Sequence, residues 1–168
     1  MNHLCLKIQA FIKTKYPTFE FPKQAFQFLP TYDIDYVWAY KNRNWKRTFG
    51  GYARSLLNRD FIEIKERFQV QMNQKEDVFY TFNYLNDLHK KHQLSPMYFF
   101  LIGDYSEFDK NIHYKNEAFQ TLIKSISEQY KIGLHPSYQS NQHIHILKKE
   151  LKSLNAVANN SIIKSRQH

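Results

Sequence analysis

The chain has 168 residues, a length that suits a single domain, and 42% of them are hydrophobic, which is enough for a buried core. Its one cysteine excludes an internal disulfide. The net charge of +9 allows a phosphate-rich or acidic partner, although the basic residues are dispersed along the chain. No apolar run approaches the roughly 18 residues of a transmembrane helix, and the amino terminus lacks a signal-peptide pattern. We therefore expect a soluble, cytoplasmic protein without a membrane span.

The first part of the chain predicts a helix and then a strand. Residues 1–14 carry apolar side chains at helical spacing. Prolines interrupt the pattern after this segment. The apolar residues at 26–32 predict the first strand, which ends at two acidic residues, Asp33 and Asp35. We treat residues 1–25 as an N-terminal segment that precedes the main domain.

The next part of the chain is harder to assign. Residues 38–60 are rich in aromatic and basic side chains. Only residues 52–57 predict a helix there, because Gly50 and Gly51 would each cost a continuous helix about 1 kcal/mol. Residues 61–75 are polar and show no clear period.

From residue 77 onward, helices and strands alternate. Asp77 is predicted to cap a helix that ends near His89. His89 and His92 could share a metal, but no third ligand is close in sequence and we expect a solvated helix end. The later elements are a strand at 97–102, a helix at 116–130, a strand at 131–135, a helix at 142–158 and a strand that begins at 161.

Polar side chains follow the ends of the predicted strands. Strands joined by helices run parallel, so their carboxyl ends meet at one edge of the sheet. Asp33 and Asp35 are two residues apart and should project to the same side of an extended chain. Crowded carboxylates need a proton or a cation between them, which a divalent metal would supply. A solvated turn that carries two acidic residues also fits this pair. The residues at the four strand ends are Asp33, Asp35, Asp104, His135, Arg166 and His168.

Three short motifs resemble those of the polysaccharide deacetylases with a NodB-type domain. Residues 31–35 read Thr-Tyr-Asp-Ile-Asp, similar to the family's Thr-Phe-Asp-Asp with one residue inserted. Residues 132–139 read Ile-Gly-Leu-His-Pro-Ser-Tyr-Gln, with Gln139 where the family has its second histidine. Residues 165–168, Ser-Arg-Gln-His, resemble the opening of the third motif. A divergent branch also shares Asp-x-Phe-x-Thr-Phe at 77–82 and Asp-Lys-Asn at 109–111.

The resemblance implies an α/β fold, a partial and deformed barrel of parallel strands, that removes acetyl groups from a glycan. By this resemblance Asp33 is the catalytic base and Arg166 braces it. Asp35 and His135 bind a divalent metal, which we expect to be zinc. Zinc needs about three protein ligands and an open position, and we hypothesise that His168 is the third.

The resemblance also bears on completeness and on partners. The family's barrel continues beyond its third motif, so residues 26–168 are interpreted as an incomplete domain. An open barrel edge predicts self-association and weak or absent activity for this chain alone. The expected partner is an acetylated carbohydrate rather than nucleic acid.

Two alternatives remain open at this point. Residues 38–59 interleave aromatic with basic side chains, a pattern that can stack on bases and neutralise phosphate, so a nucleic-acid or polyanion-binding module is one alternative. An amphipathic segment that covers the barrel explains the same pattern. The other alternative is a deacetylase-like fold that only binds glycans, which Gln139 favours.

Overall fold

The computed structural model describes residues 3–22 and 26–167. In these ranges it is a mixed α/β structure with three parallel strands and six α-helices. The elements are α1 (His3–Lys15), β1 (Thr31–Ile34), α2 (Trp45–Leu57), α3 (Phe61–Gln71), α4 (Phe82–Lys91), β2 (Met97–Leu101), α5 (Glu117–Gln129), β3 (Lys131–His135) and α6 (Ile144–Ala158). None of the helices in the described ranges combines the length and the apolarity needed to cross a bilayer.

The sheet has the order β1-β2-β3 and is open within the described part of the chain. Its register places Asp33 opposite Phe99, and Leu101 opposite His135. The predicted fourth strand is present as one parallel bridge, in which Leu134 pairs with Ser165. The bridge is made by backbone hydrogen bonds of 2.9 and 3.0 Å between residue 134 and residues 164 and 166. The parallel α/β class is confirmed, and the sheet itself is small.

The two faces of the sheet differ because side chains alternate along each strand. One face is apolar and packs on α5 and α6, and it carries Tyr32, Ile34, Tyr98, Phe100, Ile132 and Leu134. The opposite face has a buried apolar centre of Met97, Phe99 and Leu101. By the same alternation, Asp33 and His135 belong to this second face, and Asp35 follows β1 on the same side. Helices α5 and α6 therefore cover one face, and the candidate site residues Asp33, Asp35 and His135 lie on the other.

Several predicted elements are confirmed within a few residues. The helices expected at 116–130 and 142–158 are α5 and α6, and the strands at 97–102 and 131–135 are β2 and β3. The helix expected at the amino terminus is α1, and none of its residues is buried. Residues 61–75, which showed no clear period, contain α3, whose first turn is capped by the side chain of Asp60.

The first strand starts later than predicted. Residues 26–30 are not extended into the sheet, and Phe26 is 91% exposed. The partner strand explains the difference. β2 begins at Met97, directly after Pro96, and the Met97 N–H donates to the Pro30 carbonyl over 2.9 Å. A strand that extended upstream of Thr31 would place Pro30 opposite Pro96, and neither proline can donate a backbone hydrogen bond.

The prediction that the glycine pair interrupts the helix was wrong, because α2 runs through Gly50 and Gly51. Its start is fixed by Asn44, whose side chain accepts the Arg47 N–H at 2.9 Å. Gly51 lies against the guanidinium of Arg67, and a Cβ at Gly51 would approach the Arg67 Cζ to 2.7 Å. Tertiary packing therefore requires a small residue at this point of the helix.

Arg67 is buried for reasons that are visible in its contacts. It is 6% exposed, and its guanidinium lies over the rings of Tyr40 and Tyr52 at 4.6 and 5.5 Å. An ion pair of 2.7 Å joins it to Glu63 one helical turn earlier. These contacts hold α2 and α3 together, since the cation that α3 supplies fills the space that Gly51 leaves on α2.

Asp77 does not cap a helix, because α4 begins at Phe82 with Thr81 as its N-cap residue. Its carboxylate instead accepts the backbone N–H groups of three consecutive residues, 39 to 41, at 2.6, 2.8 and 3.0 Å, and that of Phe79 at 3.1 Å. Asp77 therefore fixes the loop that follows Asp35.

His89 is not solvated, contrary to the prediction for the end of α4. It is 1% exposed, and its Nε2 lies 2.9 Å from the Tyr32 hydroxyl. Burial lowers the pKa of His89. His92, at the C-cap position, is exposed. The two histidines therefore face different environments and do not form a shared ligand pair.

We expect Gly50→Ala and Gly51→Ala to change stability differently. Nothing lies within 4 Å of a Cβ at Gly50, so alanine there should raise the free energy of unfolding by about 0.5–1 kcal/mol through helix propensity. Alanine at Gly51 must displace the buried Arg67 guanidinium, and overpacking of this kind costs about 1–3 kcal/mol. Urea unfolding of the two variants measures both effects. Equal stabilisation by the two substitutions would contradict the packing of Arg67 on Gly51.

We expect Asp77→Asn to destabilise the fold by about 3 kcal/mol, because backbone donors lose a charged acceptor. Burial raises the pKa of the Asp77 carboxyl, but its four backbone donors lower it by more, so the net shift is downward. The stabilisation is therefore present above the unfolded-state pKa and is lost as pH falls through the folded-state pKa. Urea unfolding as a function of pH measures it, and the exposed Asp87→Asn is the matched control.

Candidate active site

The structure brings Asp35 and His135 into contact. The Asp35 Oδ1 and the His135 Nε2 are 3.2 Å apart, although β2 lies between their two strands. The register explains the contact. His135 is opposite Leu101, and Asp35 comes one residue after the pair formed by Ile34 and Phe100. Asp35, Leu101 and His135 therefore lie in one row across the sheet, and the two polar side chains meet above the apolar one.

Asp33 and Arg166 form a second pair on the same face. The Asp33 Oδ2 is 3.4 Å from the Arg166 Nε, and only 13% of the Asp33 side chain is exposed. The Arg166 Nη1 donates to the Thr31 hydroxyl at 2.6 Å. The backbone N–H of Arg166 donates to the Leu134 carbonyl, which fixes the residue beside β3. The guanidinium predicted to brace Asp33 is thus placed next to it.

Buried polar side chains hold the loops that follow β2 and β3. The Asn111 amide, on a residue 2% exposed, donates to the Gly103 carbonyl at 2.9 Å just after β2. The Ser137 N–H, just after β3, donates to the Glu150 carboxylate of α6 at 3.2 Å. Burial raises the pKa of Glu150, and its hydrogen bonds to Ser137 offset part of that effect. These contacts fix the backbone directly after β2 and directly after β3.

A cleft of about 480 Å³ opens beside Asp35 and His135. Its wall includes Asp109, whose carboxylate accepts the Tyr138 N–H at 3.1 Å. The rings of Phe108 and Tyr138 lie 4.2 Å apart at the cleft, and both residues are more than half exposed. The cleft thus combines two carboxylates and an imidazole with an open aromatic surface.

The Asp35–His135 pair fits the spacing of two ligands on one ion. Two donors about 2.0–2.1 Å from a tetrahedral zinc lie about 3.3 Å apart, close to the observed 3.2 Å. Among the described residues, no group of three or more histidine, cysteine, aspartate or glutamate side chains is arranged to hold a metal. His168, the predicted third ligand, lies outside the described residues. The pair therefore supplies two donors of the set that zinc would need.

Two other residues considered from the sequence are not part of this constellation. Asp104 forms ion pairs with Lys149 at 2.7 Å and with His113 at 3.5 Å. Gln139, which stands where the resembled family has a histidine, is exposed in the 3-10 turn Tyr138–Asn141.

The charges around His135 raise its pKa. The largest cause is its hydrogen bond to Asp35, which outweighs the lowering by burial. The negative charges of Asp35, Asp33 and Asp109 raise the pKa further. The three carboxylates therefore favour a cation at this position, and either a proton or a metal ion at the His135 Nε2 satisfies that preference.

The sequence did not single out the cleft's aromatic residues or a role for Asp109. Tyr36, Phe108 and Tyr138 line the cleft, but the ring contact between Phe108 and Tyr138 joins segments about thirty residues apart. The Asp-Lys-Asn motif at 109–111 was a signal for this loop. It gave no indication that Asp109 would contact the turn after β3.

Comparison with known proteins found no matching family model, no matching curated protein and no matching solved structure. The interpretation of the site therefore depends on the geometry of this chain and on the motifs in its sequence.

In metal-free protein, we expect His135 to titrate above 6.5, and Asp35→Asn to lower its pKa. Because the folded-state pKa is raised, the stabilisation from this pair is fully present below the unfolded-state pKa. It is lost as pH rises through the folded-state pKa. NMR titration in the presence of a chelator measures the pKa, and urea unfolding across the same pH range measures the stability.

The control for this measurement is His92→Gln, which removes an exposed histidine. It should leave the fall in stability with pH unchanged, whereas His135→Gln should flatten it. A His135 imidazole that titrates below 6.5 would contradict the assigned contact with Asp35.

Proposed function

We propose that this chain is a metal-dependent hydrolase that removes acetyl groups from a polysaccharide or an amino sugar, of the polysaccharide deacetylase kind. One observation carries the proposal: the contact between Asp35 and His135 lies beside the ion pair between Asp33 and Arg166, at the carboxyl end of a parallel sheet. These four residues occupy the positions that the motif resemblance assigns to two metal ligands, a base and its brace.

In this proposal Asp35 and His135 hold the metal. Their oxygen and nitrogen donors are both accepted by zinc, and their 3.2 Å separation suits a common ion. When bound, zinc would supply Lewis-acid polarisation of the acyl oxygen and acidification of water. His135 is 6% exposed, so its ring is held by its surroundings before any ion binds.

Asp33 acts as the general base. Its carboxylate faces the same side of the sheet as the ligand pair, and Arg166 fixes its orientation through the 3.4 Å ion pair. Arg166 is itself held by its bonds to Thr31 and to the Leu134 carbonyl. A base positioned in this way takes a proton from the attacking water, a contribution typically worth about 10²–10⁴-fold in rate.

The cleft suits a carbohydrate. Sugar rings have an apolar face that packs on aromatic side chains, and Phe108 and Tyr138 present such a surface beside the two carboxylates. Lys110 and Asn141 add hydrogen-bonding groups to the wall. The arrangement resembles ligand sites in general, where a largely apolar surface carries a few polar groups that set orientation.

We also propose that the sheet is part of a deformed barrel. The Arg166 segment lies beside β3, yet its guanidinium reaches Thr31 on β1. Four strands in a flat sheet span about 14 Å, farther than one arginine side chain extends, so this contact favours a sheet that curls toward the polar face. The open edge of such a sheet can pair with a second copy.

Zinc binding and acetate release test the proposal together. After incubation with zinc and dialysis, we expect the wild-type chain to retain the metal and both Asp35→Ala and His135→Ala to lose most of it. We expect slow release of acetate from acetylated chito-oligosaccharide, and Asp33→Asn should reduce the rate by about 100-fold or more. Elemental analysis and an acetate assay are the measurements.

The matched control is His92→Ala, which removes an exposed histidine at the end of α4 and should leave the zinc content unchanged. Equal zinc in the wild type and in His135→Ala would rule out the ligand assignment. Acetate release that survives a chelator would rule out metal dependence. Binding of zinc and glycan without any acetate release would contradict the expected slow hydrolysis and would favour the alternative, a glycan-binding protein that lacks catalysis.

A further inference from the structure

A second cleft, of about 730 Å³, lies against α2 and α3. Arginine dominates its polar wall, with Arg43, Arg47, Arg54 and Arg67 all lining it. The one acidic side chain in this wall is Glu63. No residue lines both this cleft and the cleft at His135, so we call it the arginine cleft and treat it as a separate site.

Arg67 is explained by the fold. Its ion pair with Glu63 neutralises the charge, and the rings of Tyr40 and Tyr52 cover its guanidinium. The negative charge of Glu63 is therefore already paired with Arg67 and does not neutralise another cation. Because Glu63 is the one carboxylate among the lining residues and pairs with Arg67, the lining offers no second carboxylate to Arg43, Arg47 and Arg54.

Arg43 is a partly buried cation whose surroundings are unfavourable. One of its terminal nitrogens donates to the Trp38 carbonyl at 3.3 Å, but its Nε is buried and has no hydrogen-bond partner in the described ranges. Burial lowers the pKa of Arg43, and the neighbouring charges of Arg47 and Arg67 lower it further. The carboxylate of Asp77 offsets part of this effect, although it is occupied by backbone donors.

The other two cations are accessible. The Arg47 guanidinium donates to the Lys110 carbonyl at 3.2 Å and lies over the Tyr105 ring at 4.8 Å, and neither contact neutralises its charge. Arg54 is exposed and forms no ion pair within residues 3–22 and 26–167. An anion in the cleft would give both side chains, and the partly buried Arg43, a partner of opposite charge.

We infer that the arginine cleft binds the diphosphate group of a small ligand. Guanidinium groups match phosphate oxygens through paired hydrogen bonds. A phosphate monoester carries a charge of about −1.5 to −2, so a diphosphate balances three cations more nearly. The remaining wall includes Tyr40, Val78 and Phe79, which gives room for an apolar or aromatic part of the same ligand.

The shape of the cleft favours a compact anion over a nucleic-acid strand. The cations converge on one concavity of a size typical for small ligands, about 300–1,000 Å³. A strand needs a groove that follows its backbone over several nucleotides. Trp45 and Phe49 of α2 are exposed aromatic residues on which bases could stack. They contact each other edge to face and do not line the cleft.

Inorganic pyrophosphate is the probe for this inference. Calorimetric titration of the full chain should show saturable binding, and bound pyrophosphate should raise the melting temperature. Arg54→Gln is the cleanest variant, since the side chain is exposed and supports no described contact. We expect it to weaken binding about 10-fold, the loss of one charge-assisted hydrogen bond. Arg43→Gln should weaken binding by at least as much.

Lys65→Gln is the matched control, because it removes one exposed positive charge from α3 outside the cleft. Its affinity should equal that of the wild type. Titration with ADP and with glucose 1-phosphate compares a diphosphate with a monophosphate, and ADP should bind more tightly.

Three results would overturn the inference. These are absence of pyrophosphate binding at millimolar concentration, equal weakening by Lys65→Gln and Arg54→Gln, or tight binding of a single-stranded oligonucleotide that grows with its length. None of these measurements involves zinc or acetate release. The inference about the arginine cleft can therefore fail while the proposed hydrolase function stands, and the reverse also holds.

Discussion

The parallel register of the three strands is the constraint on which the candidate site depends. It places Asp35 and His135 in one row with Leu101 between them, and it puts Asp33 on the same face. A shift of one residue in β1 would turn both carboxylates toward the helices and expose Tyr32 and Ile34. The apolar core resists that shift, since those two side chains pack with Tyr98 and Phe100 under α5 and α6. The hydrophobic face of the sheet thus determines the geometry of the polar face.

Register alone does not fix the loops that frame the site, and buried polar side chains have that role. The side chain of Asp77 binds the backbone after Asp35. The side chain of Asn111 binds the backbone after β2, and that of Glu150 binds the backbone after β3. In each case a side chain satisfies backbone groups that no strand or helix would satisfy, and a buried backbone group without a partner is costly. These residues are therefore expected to control the stability and shape of the cleft without touching a substrate.

The sequence was sufficient where one local pattern decided the structure. The apolar run of β2 and the stripes of α5 and α6 predicted those elements, and parallel connections predicted that residues far apart in the chain would meet at the strand ends. It failed where a distant partner decided the outcome. Gly51 of α2 makes room for Arg67, and the Asp77 carboxylate binds a loop nearly forty residues earlier. The beginning of β1 depends on where β2 begins. Periodicity in one segment cannot report any of these contacts.

The two clefts have opposite electrostatic character, and Arg47 connects them. The carboxylates of Asp35 and Asp109 lie beside His135 in one cleft, whereas four guanidinium groups, of which Arg67 alone pairs with a lining carboxylate, line the other. Arg47 belongs to the arginine cleft, yet it donates to the carbonyl of Lys110, whose neighbour Asp109 holds the Tyr138 backbone at the first cleft. An anion that drew the Arg47 guanidinium toward itself would weaken that hydrogen bond, whereas Asp109 would keep its hydrogen bonds to Ser106 and Tyr138. The Arg47 contact therefore joins the walls of the two clefts at the Lys110 carbonyl, while the position of Asp109 depends on its own hydrogen bonds within the first cleft.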